Sequence, residues 1–109
     1  MLSVLVVDPD RSFLDLFQKN AGSWPDVEVA TACCAKEAGD YLGDHPCDVV
    51  ISEYKLPDRD GIDLLRSIRS RHGDLPFMLV TGNGSEAVAA EASRFGISAY
   101  ITMPMNSTS

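Results

Sequence analysis

The aliphatic run Leu2–Val7, interrupted only by Ser3, constrains the fold of this chain more than any other feature. It is too short for a helix, rich in valine and free of polar alternation. It reads as a strand buried on both faces. Such strands belong to parallel sheets, whose neighbours are joined by crossovers of a dozen residues or more, usually helical. The rest of the chain is built to supply them.

Asp8-Pro9-Asp10 stops the run, and Asp10 or Ser12 is placed to cap a helix beyond it. Phe13, Leu14, Leu16 and Phe17 then recur at helical spacing to about Asn20. Ala21–Asp26 is a loop, and Val27–Ala32 alternates like a second strand. Ala35–Leu42 is a short helix broken by Gly43–Pro46. Asp48–Tyr54 is the third strand, 55–61 a loop, and Ile62, Leu64, Leu65 and Ile68 mark a helix to about Arg71. Pro76–Thr81 is the fourth strand and Gly82-Asn83-Gly84 a turn. Ser85 and Glu86 open a helix through Phe95, with Gly96 as a suitable stop. Ala99–Thr102 is the fifth strand, followed by Pro104 and the polar tail 105–109. Strictly alternating strands and helices predict a doubly wound, five-stranded parallel sheet between helical layers, within one domain spanning 1–109.

Composition excludes several functions. Nine Lys+Arg against sixteen Asp+Glu give a net charge of −7, which disfavours direct nucleic-acid binding and anionic membranes. No apolar run approaches the ~20 residues of a membrane span. The start, Met1-Leu2-Ser3-Val4, lacks the basic region of a signal peptide, so a cytoplasmic protein is expected. Cys33, Cys34 and Cys47 form no disulfide framework. With only His45 and His72 as imidazoles, no metal-ligand spacing emerges, and the cysteines read as reduced, mostly buried thiols.

In open parallel sheets the functional cleft lies beyond the carboxyl ends of the strands. Asp8-Pro9-Asp10, Glu53-Tyr54-Lys55, Thr81-Gly82 and Met103-Pro104 all fall there. This constellation resembles the receiver domain of bacterial response regulators, from Leu2 to Pro104. The most specific piece is Glu53-Tyr54-Lys55-Leu56-Pro57-Asp58-Arg59-Asp60-Gly61. It is similar to the family's loop after strand three: Asp, two variable residues, an apolar residue, Pro, two more residues, then Asp-Gly. Val6-Val7-Asp8, Val80-Thr81-Gly82 and Tyr100 with Met103-Pro104 fall at matching intervals. The resemblance implies a flavodoxin-like fold with strand order 2-1-3-4-5 and a role in two-component phosphorelay signalling. It also implies a cis bond before Pro104.

In that family a histidine kinase supplies a phosphoryl group to the Asp after strand three. Two acidic residues after strand one help hold Mg²⁺, and a Lys after strand five binds the phosphoryl charge. A Ser or Thr after strand four and an aromatic residue on strand five form the switch. This chain departs at three positions. The second acid is Pro9, with Asp10 one residue too late. The phosphoacceptor position is Glu53. The Lys position is Met103. Asp8 is kept, as are the switch residues Thr81 and Tyr100. Glu53 carries its carboxylate about one methylene further out, a displacement to which near-attack geometry is sensitive. Pro9 removes an oxygen ligand from a hard cation, and Met103 removes a positive partner for the transferred group. The expectation is a pseudo-receiver, not an enzyme, that acts by protein–protein contact. Mg²⁺ binding should be weak or absent, at best through Asp8, Glu53 and the Lys55 backbone. The partner expected is a histidine kinase or an output domain, with Ser85–Met103 a candidate docking surface.

Two readings of Glu53 stay open. In one, its longer carboxylate holds Thr81 inward and locks the domain near an active-like state. In the other, it pairs with a local cation, Lys55 being nearest. Thr81 also reads as a locally bonded strand-end hydroxyl, Tyr100 as a packing residue and Lys55 as a solvated charge. The family's fifth helix is expected to be absent, because 105–109 is too short and too polar. Pro76–Val80 is apolar at both parities and needs cover on both faces. Either the chain is a piece of a longer protein, or another chain, for example a second copy in a homodimer, covers that face. An enzymatic alternative is a haloacid-dehalogenase-type phosphatase using Asp8 and Asp10 of Asp8-Pro9-Asp10. No Lys follows Thr81 to complete its motifs. Nor does a Lys follow Gly82-Asn83-Gly84 at phosphate-loop spacing.

Overall fold

The computed structural model describes residues 1–82 and 84–102. Five parallel strands lie in the order β2-β1-β3-β4-β5. The chain runs β1 (Leu2–Val7), α1 (Arg11–Ala21), β2 (Val27–Ala32), α2 (Ala35–Asp44), β3 (Val49–Glu53), α3 (Gly61–His72), β4 (Phe77–Thr81), α4 (Glu86–Arg94) and β5 (Ala99–Thr102). Every element expected from the alternation is present, with ends moved by a residue or two. The register sets Val7 beside Ser52 and Glu53 beside Val80. It sets Thr81 beside Thr102. The carboxyl ends of the central strands therefore finish at one edge.

The first run is buried as its composition requires: Val4, Leu5, Val6 and Val7 are all in the core. Its two parities serve different layers. Leu5 and Val7 join Val50, Phe77, Leu79, Leu65, Ile68 and Ala92 under α2, α3 and α4. Val4 and Val6 meet Leu14 of α1 on the opposite face, with Phe17, Val29 and Ile51 packed around them. The second layer is much thinner. On β4, Phe77 and Leu79 are buried, whereas Met78 and Val80, at the other parity, are half-buried. Ile101 is exposed, as are Leu16 and Trp24 beyond α1. The expected absence of a fifth helix, the 105–109 tail and the bond before Pro104 all fall outside the described residues.

Each helix begins on a side-chain cap, which satisfies amide donors that have no partner within the helix. Asp10 caps α1 and Cys34 caps α2. Asp60 caps α3 and Ser85 caps α4. Arg69 does the same for carbonyls. Its guanidinium donates to Phe95 O at 2.6 Å and Gly96 O at 3.0 Å, past the end of α4. It also donates to Gly73 O and Leu75 O, both at 2.8 Å, in the turn before β4.

Candidate functional site

Two carboxylates, a buried hydroxyl and a tethered loop meet at the carboxyl edge of the sheet. The backbone N–H of Asp8 extends the β1–β2 ladder by donating to Ala32 O at 3.0 Å. The Asp8 side chain then arches over Pro9, and its Oδ1 accepts from the N–H of Asp10 at 2.8 Å. Asp10 is turned away from the cleft: its Oδ1 accepts from Ser12 and Phe13 N–H at 3.0 and 3.2 Å. Of the two capping candidates, Asp10 is the one used. Burial does most to raise the Asp8 carboxyl above its ordinary range. The Asp10 N–H opposes this, and the negative charges of Glu53 and Asp10 add to it.

Glu53 ends β3. Its Oε2 accepts from the N–H of Tyr54 at 2.7 Å and from that of Lys55 at 3.3 Å. The longer side chain has folded back onto its own loop. Glu53 meets Lys55 through that residue's backbone N–H, while the Lys55 side chain is exposed, in keeping with the reading of a solvated charge. The one ion pair among the described residues is Lys36–Asp40, on the exposed face of α2. In this conformation the Glu53 carboxylate faces the N–H groups of Tyr54 and Lys55.

The loop after β3 is pinned along its length. Lys55 and Asp60 form an isolated antiparallel bridge. Gly61 donates to Tyr54 O at 2.6 Å. A Cβ on Gly61 would sit 2.8 Å from Glu53 O and 2.7 Å from a Leu79 methyl, which is why glycine stands there. Asp58 reaches across to α2, where Oδ1 accepts from Ala35 N–H and Oδ2 from Lys36 N–H, each at 2.9 Å. Burial works against its charge, but four backbone N–H groups outweigh that and hold its carboxyl below the usual range. Sequence reading assigned Asp58 no role, since a cap contributed from another loop leaves no local pattern.

Thr81 is fully buried at the end of β4. Tyr100 packs partly buried against the main core. Its hydroxyl accepts from Ser85 N–H at 3.1 Å and donates to Ser85 O at 3.5 Å. Tyr100 is therefore more than a packing residue, because its polar end is fastened to the start of α4. Met103 lies outside the described residues.

The donor set fits Mg²⁺ poorly. A small hard cation requires near-octahedral oxygen coordination. Pro9 offers no side-chain oxygen, Asp10 caps a helix, and the carboxylates of Asp8 and Glu53 are both engaged by backbone N–H groups. Asp8, Asp10 and Glu53 do not converge at metal-ligand spacing. The group of three that does, among the described residues, is Cys33, Cys34 and Glu37. Their ligand atoms lie within 4.8 Å of one another, a proximity that the spacing of cysteines and histidines along the sequence did not suggest. The thiols are also half-buried rather than buried.

Residues 4–109 match the family model described as response regulator receiver domain. The chain is 34% identical over 108 residues to the transcriptional regulatory protein PhoP of Escherichia coli K12, covering 96% of this chain and 47% of that protein. It is 29% identical over 102 residues to the response regulator protein PilR of Pseudomonas aeruginosa, covering 94% of this chain and 23% of that one. The chain thus spans less than half the length of these relatives. A CheY-like receiver domain protein from Methanospirillum hungatei superposes with a TM-score of 0.87 at 27% identity, covering 97% of this chain and 84% of that one. Nothing in these likenesses supports the phosphatase alternative, whose second carboxylate, Asp10, is committed to α1. No helix among the described residues is long and apolar enough to cross a membrane. By sequence match, strand order and the loop after β3, the chain belongs to the response regulator receiver domain family of two-component signalling.

Proposed function

We propose that this domain is a pseudo-receiver: it keeps the family's fold and switch residues, does not undergo Mg²⁺-dependent phosphorylation, and signals by binding a protein. The observation that carries this reading is the Glu53 carboxylate, drawn onto the N–H groups of Tyr54 and Lys55 at 2.7 and 3.3 Å. A nucleophile must point an oxygen lone pair outward along the line of attack. In Glu53, Oε2 is held by its own loop. Its neighbours reinforce the loss, since Pro9 supplies no metal ligand and Met103 no positive charge.

What remains is a surface. The Tyr100 hydroxyl and the start of α4 are joined at Ser85, so α4 and β5 present one rigid patch to a kinase or output domain. The sheet face that carries Met78 and Val80 of β4, both half-buried, is the one assigned to a second copy of the chain. Light scattering at rising concentration tests that assignment, and a strict monomer sinks it.

The central test is incubation with Mg²⁺ and acetyl phosphate and then intact-mass measurement, beside an orthodox receiver as positive control. The expected result is no added phosphoryl group. One added group would overturn the proposal.

A further inference from the structure

We propose that Cys33, Cys34 and Glu37 bind one Zn²⁺ ion at the junction of β2 and α2. One ligand atom from each residue lies within 4.8 Å of the other two. Tetrahedral zinc with Zn–S near 2.3 Å and Zn–O near 2.1 Å requires ligand atoms about 3.6–3.8 Å apart. The ligand atoms are thus at most about 1 Å further apart than the ion requires.

The cluster is organised by the way α2 begins. Cys34 is the N-cap, with extended backbone at φ −156° and ψ 169°. That conformation turns its Sγ toward the first helical turn, where it accepts from Glu37 N–H at 3.5 Å. The Glu37 carboxylate reaches back and accepts from Cys33 N–H at 2.9 Å. The carboxylate returns to the residue before the N-cap rather than to the N-cap's own N–H, so the two contacts tie Glu37 to both cysteines. Cysteine is not among the residues favoured at that position, so helix capping alone does not account for the choice. Cys33 adds a second sulfur on the adjacent residue, and the group is open to solvent: both cysteines are half-buried and Glu37 is exposed.

Charge also fits. Two thiolates and a carboxylate carry −3, and Zn²⁺ brings the group to −1. The Arg11 guanidinium, 3.4 Å from Cys33 Sγ, offsets the remainder. As each Zn–S bond forms, the thiol releases its proton to solvent. Soft sulfur ligands favour zinc over the hard Mg²⁺ of the family's acidic pocket. Three protein ligands leave the fourth position to water. The proposal is independent of whether Glu53 is phosphorylated.

The test uses the full chain, reduced with a phosphine and stripped with a chelator. Co²⁺ is titrated in while thiolate-to-cobalt charge-transfer absorption is monitored, and Zn²⁺ is then added to displace it. The expected result is one equivalent bound, with the thiolate band abolished by Zn²⁺. Cys33→Ser and Cys34→Ser should each weaken binding by at least about 100-fold, and Glu37→Gln by about 10-fold. Serine is a good N-cap, so Cys34→Ser retains the fold, which far-UV circular dichroism checks. Cys47→Ser and Asp8→Asn should bind as the parent does. Absence of the thiolate band, a band that survives Cys33→Ser and Cys34→Ser, or loss of binding in Asp8→Asn would each overturn the proposal.

Discussion

The hydroxyl of Tyr100 occupies the space in which a side chain at Gly84 would begin, and a Cβ there would overlap it. The ring reaches this position from β5 and is held by Ser85 N–H at 3.1 Å. The absence of a side chain at residue 84 is thus what lets Tyr100 dock on the β4–α4 connection. Gly84→Ala should expel the ring. With ring-labelled tyrosine, one of three tyrosine signals and the Ser85 amide should shift together in the NMR spectrum. Tyr100→Phe should move the Ser85 amide and cost about 1 kcal/mol, the net worth of a typical hydrogen bond. An unchanged Ser85 amide in both variants would show that the docked position is not the one populated.

Asp58 joins the loop after β3 to the start of α2, a helix otherwise capped by the weakly accepting Cys34 sulfur. Asp58→Ala removes an acceptor from two otherwise unpaired N–H groups and should cost about 1 kcal/mol, as loss of an N-cap does. The contribution has a definite pH dependence. The folded carboxyl lies below its ordinary value, so the stabilisation is fully present above the unfolded pKa of about 4. It is lost as pH falls through the depressed folded value. Urea melts of parent and Asp58→Ala should differ at pH 7 and converge in acid. Equal separation at both ends would mean that the charge of Asp58 is not what matters.

Asp8 has the opposite sign. Its folded carboxyl is raised, chiefly by burial, with the charge of Glu53 contributing. The folded protein therefore binds the proton more tightly than the unfolded chain. Ionised Asp8 costs stability above the raised value, and the cost disappears below the ordinary carboxylate range of about 4. Asp8→Asn keeps an oxygen for the Asp10 N–H and removes the charge. It should melt above the parent at pH 7, with the gap closing near pH 3. A lower melting temperature at pH 7 would mean that a cation or another group already compensates the charge.

The parts of this molecule legible in the sequence share one property: their signals are local. Leu2–Val7 announces a strand buried on both faces, and Val4 through Val7 are so buried. Asp10 and Ser85, both read as helix starts, carry their caps within three residues. The site positions Asp8, Glu53, Thr81 and Tyr100 were placed by strand-end logic together with family resemblance. What could not be read was contact across elements. Arg69 fastens the end of α4 from α3, 26 residues earlier than its partner Phe95. Asp58 caps a helix that begins 23 residues before it. The contact of Glu53 with Lys55 runs through the backbone N–H, a partner that charge pairing along the sequence does not reveal. Cys33-Cys34-x-x-Glu37 did carry a local signal, a carboxylate three residues after an N-cap, obscured because cysteine is not a usual cap.

The three departures from the family pattern make a final prediction about their division of labour. Glu53→Asp shortens the side chain by one methylene and weakens its reach back to Lys55 N–H, now 3.3 Å away. It restores the family's nucleophile but neither the metal ligand at residue 9 nor the positive charge at residue 103. Preorganised charge around the transferred group supplies much of the barrier lowering in such reactions, several kcal/mol for one well-placed cation. Glu53→Asp alone should therefore gain no phosphoryl group from acetyl phosphate with Mg²⁺. The triple variant Pro9→Asp, Glu53→Asp, Met103→Lys should gain one by intact mass, and lose it when Mg²⁺ is removed by chelator. Labelling of the single variant would make the nucleophile the only defect. A triple variant that folds and stays unlabelled would place the defect in the loop itself, in the backbone pinned by Gly61 N–H on Tyr54 O and by Asp58 against α2.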